Sequence, residues 1–170
     1  MTKMRMTTKN NDSEPVHKDR LFSEVRMKYT FRRMTSADLP FALEMSHTFR
    51  PDLISETGAA AFLADERNWL WAGMMDDRII AFAYGYALDR LDGRRMLYLH
   101  EVGVADAYQR QGIGTEMFHA LKRECKAQGF HRIFLITDQN NVAANALYRK
   151  CGGEVSCDSG GNDTVYLFFL

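Results

Sequence analysis

Residues 96–125, MLYLHEVGVADAYQRQGIGTEMFHALKREC, join a nearly continuous apolar strand to an amphipathic helix through a polar turn that holds two glycines. No other stretch restricts the fold as strongly. An apolar run of that kind fits a strand inside a sheet covered on both faces. Ile113, Met117, Leu121 and Cys125 recur every four residues, so the helix that follows lays one apolar side on that sheet. At the junction stands Gln109-Arg110-Gln111-Gly112-Ile113-Gly114, followed by Thr115. The first turn of a helix carries amides with no intrahelical partner and a partial positive charge. Glycines let an anion approach that backbone closely, Arg110 adds a formal charge and Thr115 a hydroxyl. Together they make a cradle for a pyrophosphate. A tight strand-to-helix connection alone would use the glycines but not the cluster of polar residues before them.

The rest of the chain supplies the surroundings. YTFRRMT alternates as a short strand, and Ser36 with Asp38-Leu39-Pro40 starts a helix. A second helix is expected from Ser55 to Asp65. NWLWAGMM and RIIAFAYGYAL are strands split by Asp76-Asp77, a hairpin signal, and Asp92-Gly93 makes the next tight corner. The glycine-led helix runs to Gln128 and stops at Gly129. HRIFLIT is a buried strand, NVAANALYRKC a helix ended by Gly152-Gly153, and TVYLFFL a closing strand. This order predicts an α/β (α+β) domain with a mixed, largely antiparallel sheet of six to seven strands and helices on both faces.

Composition narrows the classes. The 170 residues fit one domain, expected over 29–170. Residues 1–28 hold seven basic and four acidic side chains without apolar period, and read as a disordered N-terminal tail. Basic and acidic residues balance at 22 each, which argues against a dedicated nucleic-acid binder. Cys125, Cys151 and Cys157 form no CxxC pair, so neither a disulfide framework nor a zinc ribbon is indicated, and a reducing cytoplasm is the simplest setting. No apolar run is long enough to span a membrane. The histidines show no ligand spacing, and no metal is expected. Residues 34–93 carry ten acidic residues against four arginines, an excess that would attract a cation if it lined a cleft. An ordinary solvated acidic face explains the same count.

Other phosphate motifs fit poorly. A P-loop needs four residues between its glycines and then Gly-Lys-Ser/Thr, and the dinucleotide fingerprint needs a third glycine where Met117 stands. LHEVGVADAYQRQGIGTEMFHALKRECKAQG instead resembles the acyl-CoA-binding segment of the GNAT superfamily of N-acetyltransferases, with its Gln/Arg-x-x-Gly-x-Gly/Ala signature. NVAANALYRKCGG is similar to the family's Asn-x-x-Ala-x-x-Leu-Tyr-x-Lys-x-Gly, through Asn141, Ala144, Leu147, Tyr148, Lys150 and Gly152. Within the superfamily, FAYGYAL through the glycine turn most resembles the type I aminoglycoside 3-N-acetyltransferases. Gly153 departs from the pattern, where an aromatic is common.

The resemblance implies acetyl-CoA as donor, a cytoplasmic enzyme, often a homodimer, and an acyl-CoA N-acyltransferase fold. Gln109, Arg110, Gln111, Gly112, Ile113, Gly114 and Thr115 would hold the pyrophosphate. Val102, Gly103 and Val104 would offer main-chain groups to the pantetheine arm and the thioester carbonyl, with Gly103 leaving room. Asn141 and Asn145, on one side of their helix with Tyr148, would reach the cofactor, and Asn141 also suits the helix cap. Tyr148 would protonate the departing thiolate. Strict alternation puts Leu97, Leu99, Glu101 and Gly103 on one face of their strand and Tyr98, His100, Val102 and Val104 on the other, so one of His100 and Glu101 faces the amine. Glu101 is the expected general base and His100 the reserve. Cys125 and Cys151 lack a partner for thiolate activation, which favours direct transfer over an acetyl-enzyme.

The acceptor is expected to be a cationic small-molecule amine, an aminoglycoside or polyamine, held by Asp52, Glu56, Asp158 and Asp163 on loops that commonly border the acceptor cleft in this superfamily. The alternatives are a protein or peptide N-acetyltransferase and an acyl-CoA-binding module without turnover.

Overall fold

The computed structural model describes residues 29–49 and 54–170. The tail expected over 1–28 and the candidate Asp52 lie outside the described residues. Seven strands form one sheet in the order β1-β2-β3-β4-β5-β7-β6. The strands are β1 (Thr30–Arg33), β2 (Asn68–Met75), β3 (Arg78–Asp89), β4 (Arg95–Val104), β5 (Arg132–Asp138), β6 (Glu154–Val155) and β7 (Asp163–Phe169). All neighbours run antiparallel except β4 and β5. That parallel pair is bridged by α3 (Ile113–Ala127), the helical crossover such a pair requires. The remaining helices are α1 (Leu39–Phe49), α2 (Glu56–Ala64) and α4 (Val142–Lys150).

Local chemistry sets the element ends. A 3₁₀ turn at Ser36–Asp38 leads into α1. The Asp38 carboxylate accepts from the Thr35 amide at 2.8 Å and from both terminal nitrogens of Arg32 at 3.0 and 2.6 Å. That guanidinium, with the Thr35 hydrogen bonds, holds the Asp38 carboxyl down at about 2. Ser55 caps α2 by accepting from the Gly58 amide, and Asn141 caps α4 by accepting from the Ala144 amide. Asp76 and Asp77 both take positive φ, the conformation of a two-residue turn that matches strand twist, and β2 pairs with β3 across them.

The continuous apolar run of β2 is explained by burial on both faces. Trp69 and Trp71 enter one core with Leu97, Leu99, Ile133, Tyr166 and the inner side of α3. Leu70 and Ala72 enter a second core with Phe82, Met45 and Ala42 beneath α1 and α2. The sheet therefore separates an α3/α4 layer from an α1/α2 layer. The two-residue β6 was not foreseen, because a strand that short carries no readable period.

Candidate functional site

The glycine turn is knitted by its own glutamines. Gln109 Nε2 donates to the Val104 carbonyl at 3.0 Å and to Asp106 Oδ1 at 2.8 Å, and Gln111 Nε2 donates to the Ala107 carbonyl at 2.9 Å. Both side chains are thus spent on the shape of the loop. Arg110 at φ 60° and Gly112 at φ 87° alternate with ordinary residues. A Cβ on Gly112 would meet nothing within 4 Å, so glycine is required there by the dihedral angle and not by space. Gly112 acts as the helix cap, one residue before the helix proper. The first intrahelical bond runs from the Glu116 amide to the Gly112 carbonyl, so the amides of Ile113, Gly114 and Thr115 precede it. Gly114 seats this end of α3 on its neighbours: a Cβ would lie 3.3 Å from Val104 Cγ2 and 3.6 Å from Leu147.

Beside that turn the sheet opens. β4 and β5 pair only from Met96–Arg132 to Leu99–Leu135. Beyond these residues β4 stays with β3, and β5 stays with β7 through Asp138 and Asp163. A wedge results, with residues 100–104 on one side and 136–138 on the other. The edge of Val102–Val104 that would face a parallel strand faces this gap, and one end of it lies at the amides of α3.

A bulge re-aims the catalytic candidates. Glu101 pairs with Tyr84, but Leu99 pairs with Gly85, which leaves His100 as an extra residue in β4. Strict alternation fails there. Leu97, Leu99, Val102 and Val104 face the α3 core, whereas both His100 and Glu101 line a cavity on the α1/α2 side. The expectation that strict alternation puts His100 and Glu101 on opposite faces is therefore corrected, and the division of Val102 and Val104 from Leu97 and Leu99 with it. The bulge needs Gly85: a Cβ there would lie 1.9 Å from the Tyr98 carbonyl oxygen. Tyr98 Oη lies 3.4 Å from His100 Nδ1. The room expected at Gly103 is taken by Phe82, whose ring would stand 2.4 Å from a Cβ.

The cavity measures about 390 Å³. Met45 and Phe49 of α1, with Phe62 and Leu63 of α2, form one wall, and Tyr84 and Tyr86 form the facing one. None of these was singled out from the sequence. The signal available was Gly85 inside a strand pattern, which marks a bulge or a close backbone approach. Three of the expected acceptor carboxylates, Glu56, Asp158 and Asp163, are outside the described lining. Glu56 is exposed in the first turn of α2, outside the lining. Asp158 accepts from the Ser156 hydroxyl at 3.0 Å, and Asp163 lies across from Asp138 at the far strand pair. Five of the ten acidic residues of 34–93 stand beside arginine: Asp38 with Arg32, Glu44 with Arg78, Asp65 with Arg67, Asp92 with Arg90 and Arg94, Asp89 with Arg95. These five belong to ion pairs and not to the described cavity lining.

On the α4 side, Tyr148 is buried among Phe118, Tyr166 and Phe168. Burial pushes its hydroxyl up to about 12, so it holds its proton at neutral pH. Asn145 is buried and engaged within the protein: its oxygen accepts from Tyr166 Oη at 2.8 Å, and its amide nitrogen lies 2.9 Å from the Asp138 carbonyl and 2.8 Å from that of Asn141. It braces the end of β5 against α4 instead of presenting its amide to a ligand. Burial likewise pushes the Cys125 thiol up to about 12.

The model of the Acetyltransferase (GNAT) family matches residues 30–153. The chain belongs to the GNAT family. Among curated GNAT relatives, the probable N-acetyltransferase san of Drosophila melanogaster is 35% identical over 78 residues, which is 45% of this chain and 42% of that one. The L-methionine sulfoximine/L-methionine sulfone acetyltransferase of Pseudomonas aeruginosa is 32% identical over 65 residues, 38% of each chain. These matches span less than half the length of those relatives. An aminoglycoside acetyltransferase from an uncultured soil metagenomic sample, solved with sisomicin, superposes with a TM-score of 0.67 at 18% identity, over 78% of this chain and 94% of that one. NAA60 of Arabidopsis thaliana, solved with acetyl-CoA, also gives 0.67 at 14% identity, over 84% and 100%. Both share the GNAT fold.

Proposed function

We propose that the chain is an acetyl-CoA-dependent N-acetyltransferase that moves an acetyl group directly to a primary amine. One observation carries this reading: β4 parts from β5 beside the unbonded amides of α3, and the same strand presents Glu101 to a cavity on its other side. A donor threaded through the wedge and an acceptor in the cavity would meet at β4. The amides of Ile113, Gly114 and Thr115, with Arg110, suit the pyrophosphate. The β4 edge at Val102–Val104 suits the pantetheine amides and supplies an amide for the acyl carbonyl. Acetyl-CoA, when bound, supplies the activated acyl group. Glu101 takes a proton from the acceptor ammonium, with His100 beside it on the same wall. Tyr148, protonated at neutral pH, holds the proton for the sulfur that leaves. Cys125, buried and protonated, gives no support to a covalent acetyl-enzyme.

The likeness to the type I aminoglycoside 3-N-acetyltransferases runs from FAYGYAL in β3 through β4 to the glycine turn, and these motifs do not set the acceptor. A polycation held by Glu56, Asp158 and Asp163 gains no support from the cavity, whose described lining includes none of them. The test is thiol release from acetyl-CoA by the full chain with a panel of amines, run with Glu101→Gln and Tyr148→Phe. Amine-dependent release that drops at least ~100-fold in Glu101→Gln is expected. Absence of release with every amine, alongside saturable coenzyme A binding, would turn the reading toward an acyl-CoA-binding module.

A further inference from the structure

We infer that the acceptor is a compact primary amine carrying one apolar or aromatic group, held with its nitrogen at Glu101 and its body between α1, α2 and β3. This rests on the transferase reading above and deepens it. The cavity is polar at one end and apolar at the other. His100 and Glu101 stand together on β4, while Met45, Phe49, Phe62 and Leu63 close the opposite side from the helices. Between them the rings form a continuous surface. Phe62 meets Tyr84 at 5.7 Å and Tyr86 at 6.0 Å, both edge-on, and Tyr84 lies 5.2 Å from the His100 ring.

Charge decides between the acceptor classes. Among the described residues that line this space, Glu101 is the sole carboxylate. A monoamine therefore meets one carboxylate and several ring faces, which attract an ammonium before it is deprotonated. Each further ammonium of a polycation would lose its water against Phe, Leu and Met with no second carboxylate facing it from the described lining. Size points the same way. About 390 Å³ is near the lower end of the roughly 300–1,000 Å³ typical of ligand pockets, which suits one ring or one side chain and not a multi-ring aminoglycoside. The same chemistry occurs in a free arylalkylamine and in a peptide whose first residue is apolar, so both belong in the test.

The experiment has a binding arm and a turnover arm, both on the full chain. Calorimetric titration in the presence of coenzyme A compares 2-phenylethylamine, a tetrapeptide beginning with Phe, spermidine and tobramycin. Thiol release from acetyl-CoA is measured with the same four compounds. An aromatic amine or the Phe peptide should bind and exceed spermidine and tobramycin by at least ~10-fold in kcat/KM, an advantage of the kind one apolar group confers in a fitted pocket. Which of the two wins identifies the source. Phe62→Ala should raise KM for that acceptor about 10-fold while KM for acetyl-CoA stays unchanged. Tyr86→Ala is the second variant, should Phe62→Ala melt early. Higher kcat/KM with spermidine or tobramycin, or no binding by either apolar amine, would overturn the inference and leave the transferase reading intact. Tight binding of 2-phenylethylamine without thiol release would do the reverse, supporting the pocket's chemistry and removing the transfer reaction.

Discussion

The two halves of the site are built from different materials. On the proposed donor side, around the start of α3 and the wedge between β4 and β5, the groups on offer are main-chain amides and carbonyls, positioned by two glycines and by glutamines that bond back onto the loop. The proposed acceptor side, beneath α1 and α2, is a wall of side chains brought from five elements, and the edge that carries Glu101 depends on a single extra residue in β4. Main-chain recognition is indifferent to most side chains and so leaves a short fixed pattern. Side-chain recognition leaves a pocket whose members are scattered along the sequence.

That contrast can be broken at its weakest point, the bulge. Gly85→Val drives a Cβ into the Tyr98 carbonyl, so the β3–β4 pairing must shift and loss of the folded protein is expected, read as loss of the cooperative melting transition. A folded, active Gly85→Val protein would show that Glu101 reaches the cavity without the bulge. Next in size, Glu101→Gln should lower kcat by about 10²–10⁴-fold with little change in melting temperature or coenzyme A affinity. An unchanged kcat would move the base to His100. Tyr148, on the opposite side of the sheet, is tested through pH: its folded value is raised, so its proton is retained until pH climbs towards about 12, and any basic limb of the kcat profile below pH 10 must belong to another group.

Smaller effects separate packing from chemistry. Asp38 is buried and its folded value is depressed to about 2 by Arg32, so its contribution to stability is present above about pH 4 and lost as pH falls through about 2. Asp38→Asn should therefore cost on the order of 1–3 kcal/mol at pH 7 in denaturant melts, and the difference from the parent should shrink towards pH 2. Kinetics with saturating substrates should be unchanged, because the pair anchors α1 and lies outside the cavity lining. Gly112→Ala comes last: φ 87° costs a non-glycine residue about 1–2 kcal/mol. The strain falls on the donor turn, so weaker coenzyme A binding with unchanged acceptor KM is the expected signature. Equal losses on both sides would mean the halves are coupled.

Much of the fold was legible because its signals are local. The periodicity of α3, the Asp76-Asp77 hairpin and the cap at Asn141 each follow from residues within a few positions of one another. The glycine turn before α3 was legible for the same reason. What failed was the face of β4. Alternation is a rule for an unbroken strand, and one unpaired residue at His100 reverses the parity of everything after it. The acidic excess misled in a related way, since counting charges along the chain cannot show that Arg32, Arg67, Arg78, Arg90, Arg94 and Arg95 stand beside the carboxylates. Asn145 shared a helix side with Tyr148, as the spacing required. Its hydrogen bonds to Tyr166 Oη and the Asp138 carbonyl were set by β7 and β5, which no helical period encodes.

By itself the sequence determined the family, the glycine turn before α3 and the order of the elements, because backbone conformation at glycines and helix starts is decided by nearest neighbours. Tertiary structure alone decided that His100 and Glu101 look into the same space, and that Phe62, Tyr84 and Tyr86 line it while Glu56, Asp158 and Asp163 do not. A cavity exists only where elements distant in the chain fail to fill the volume between them, and packing of the whole sheet against α1 and α2 sets that volume.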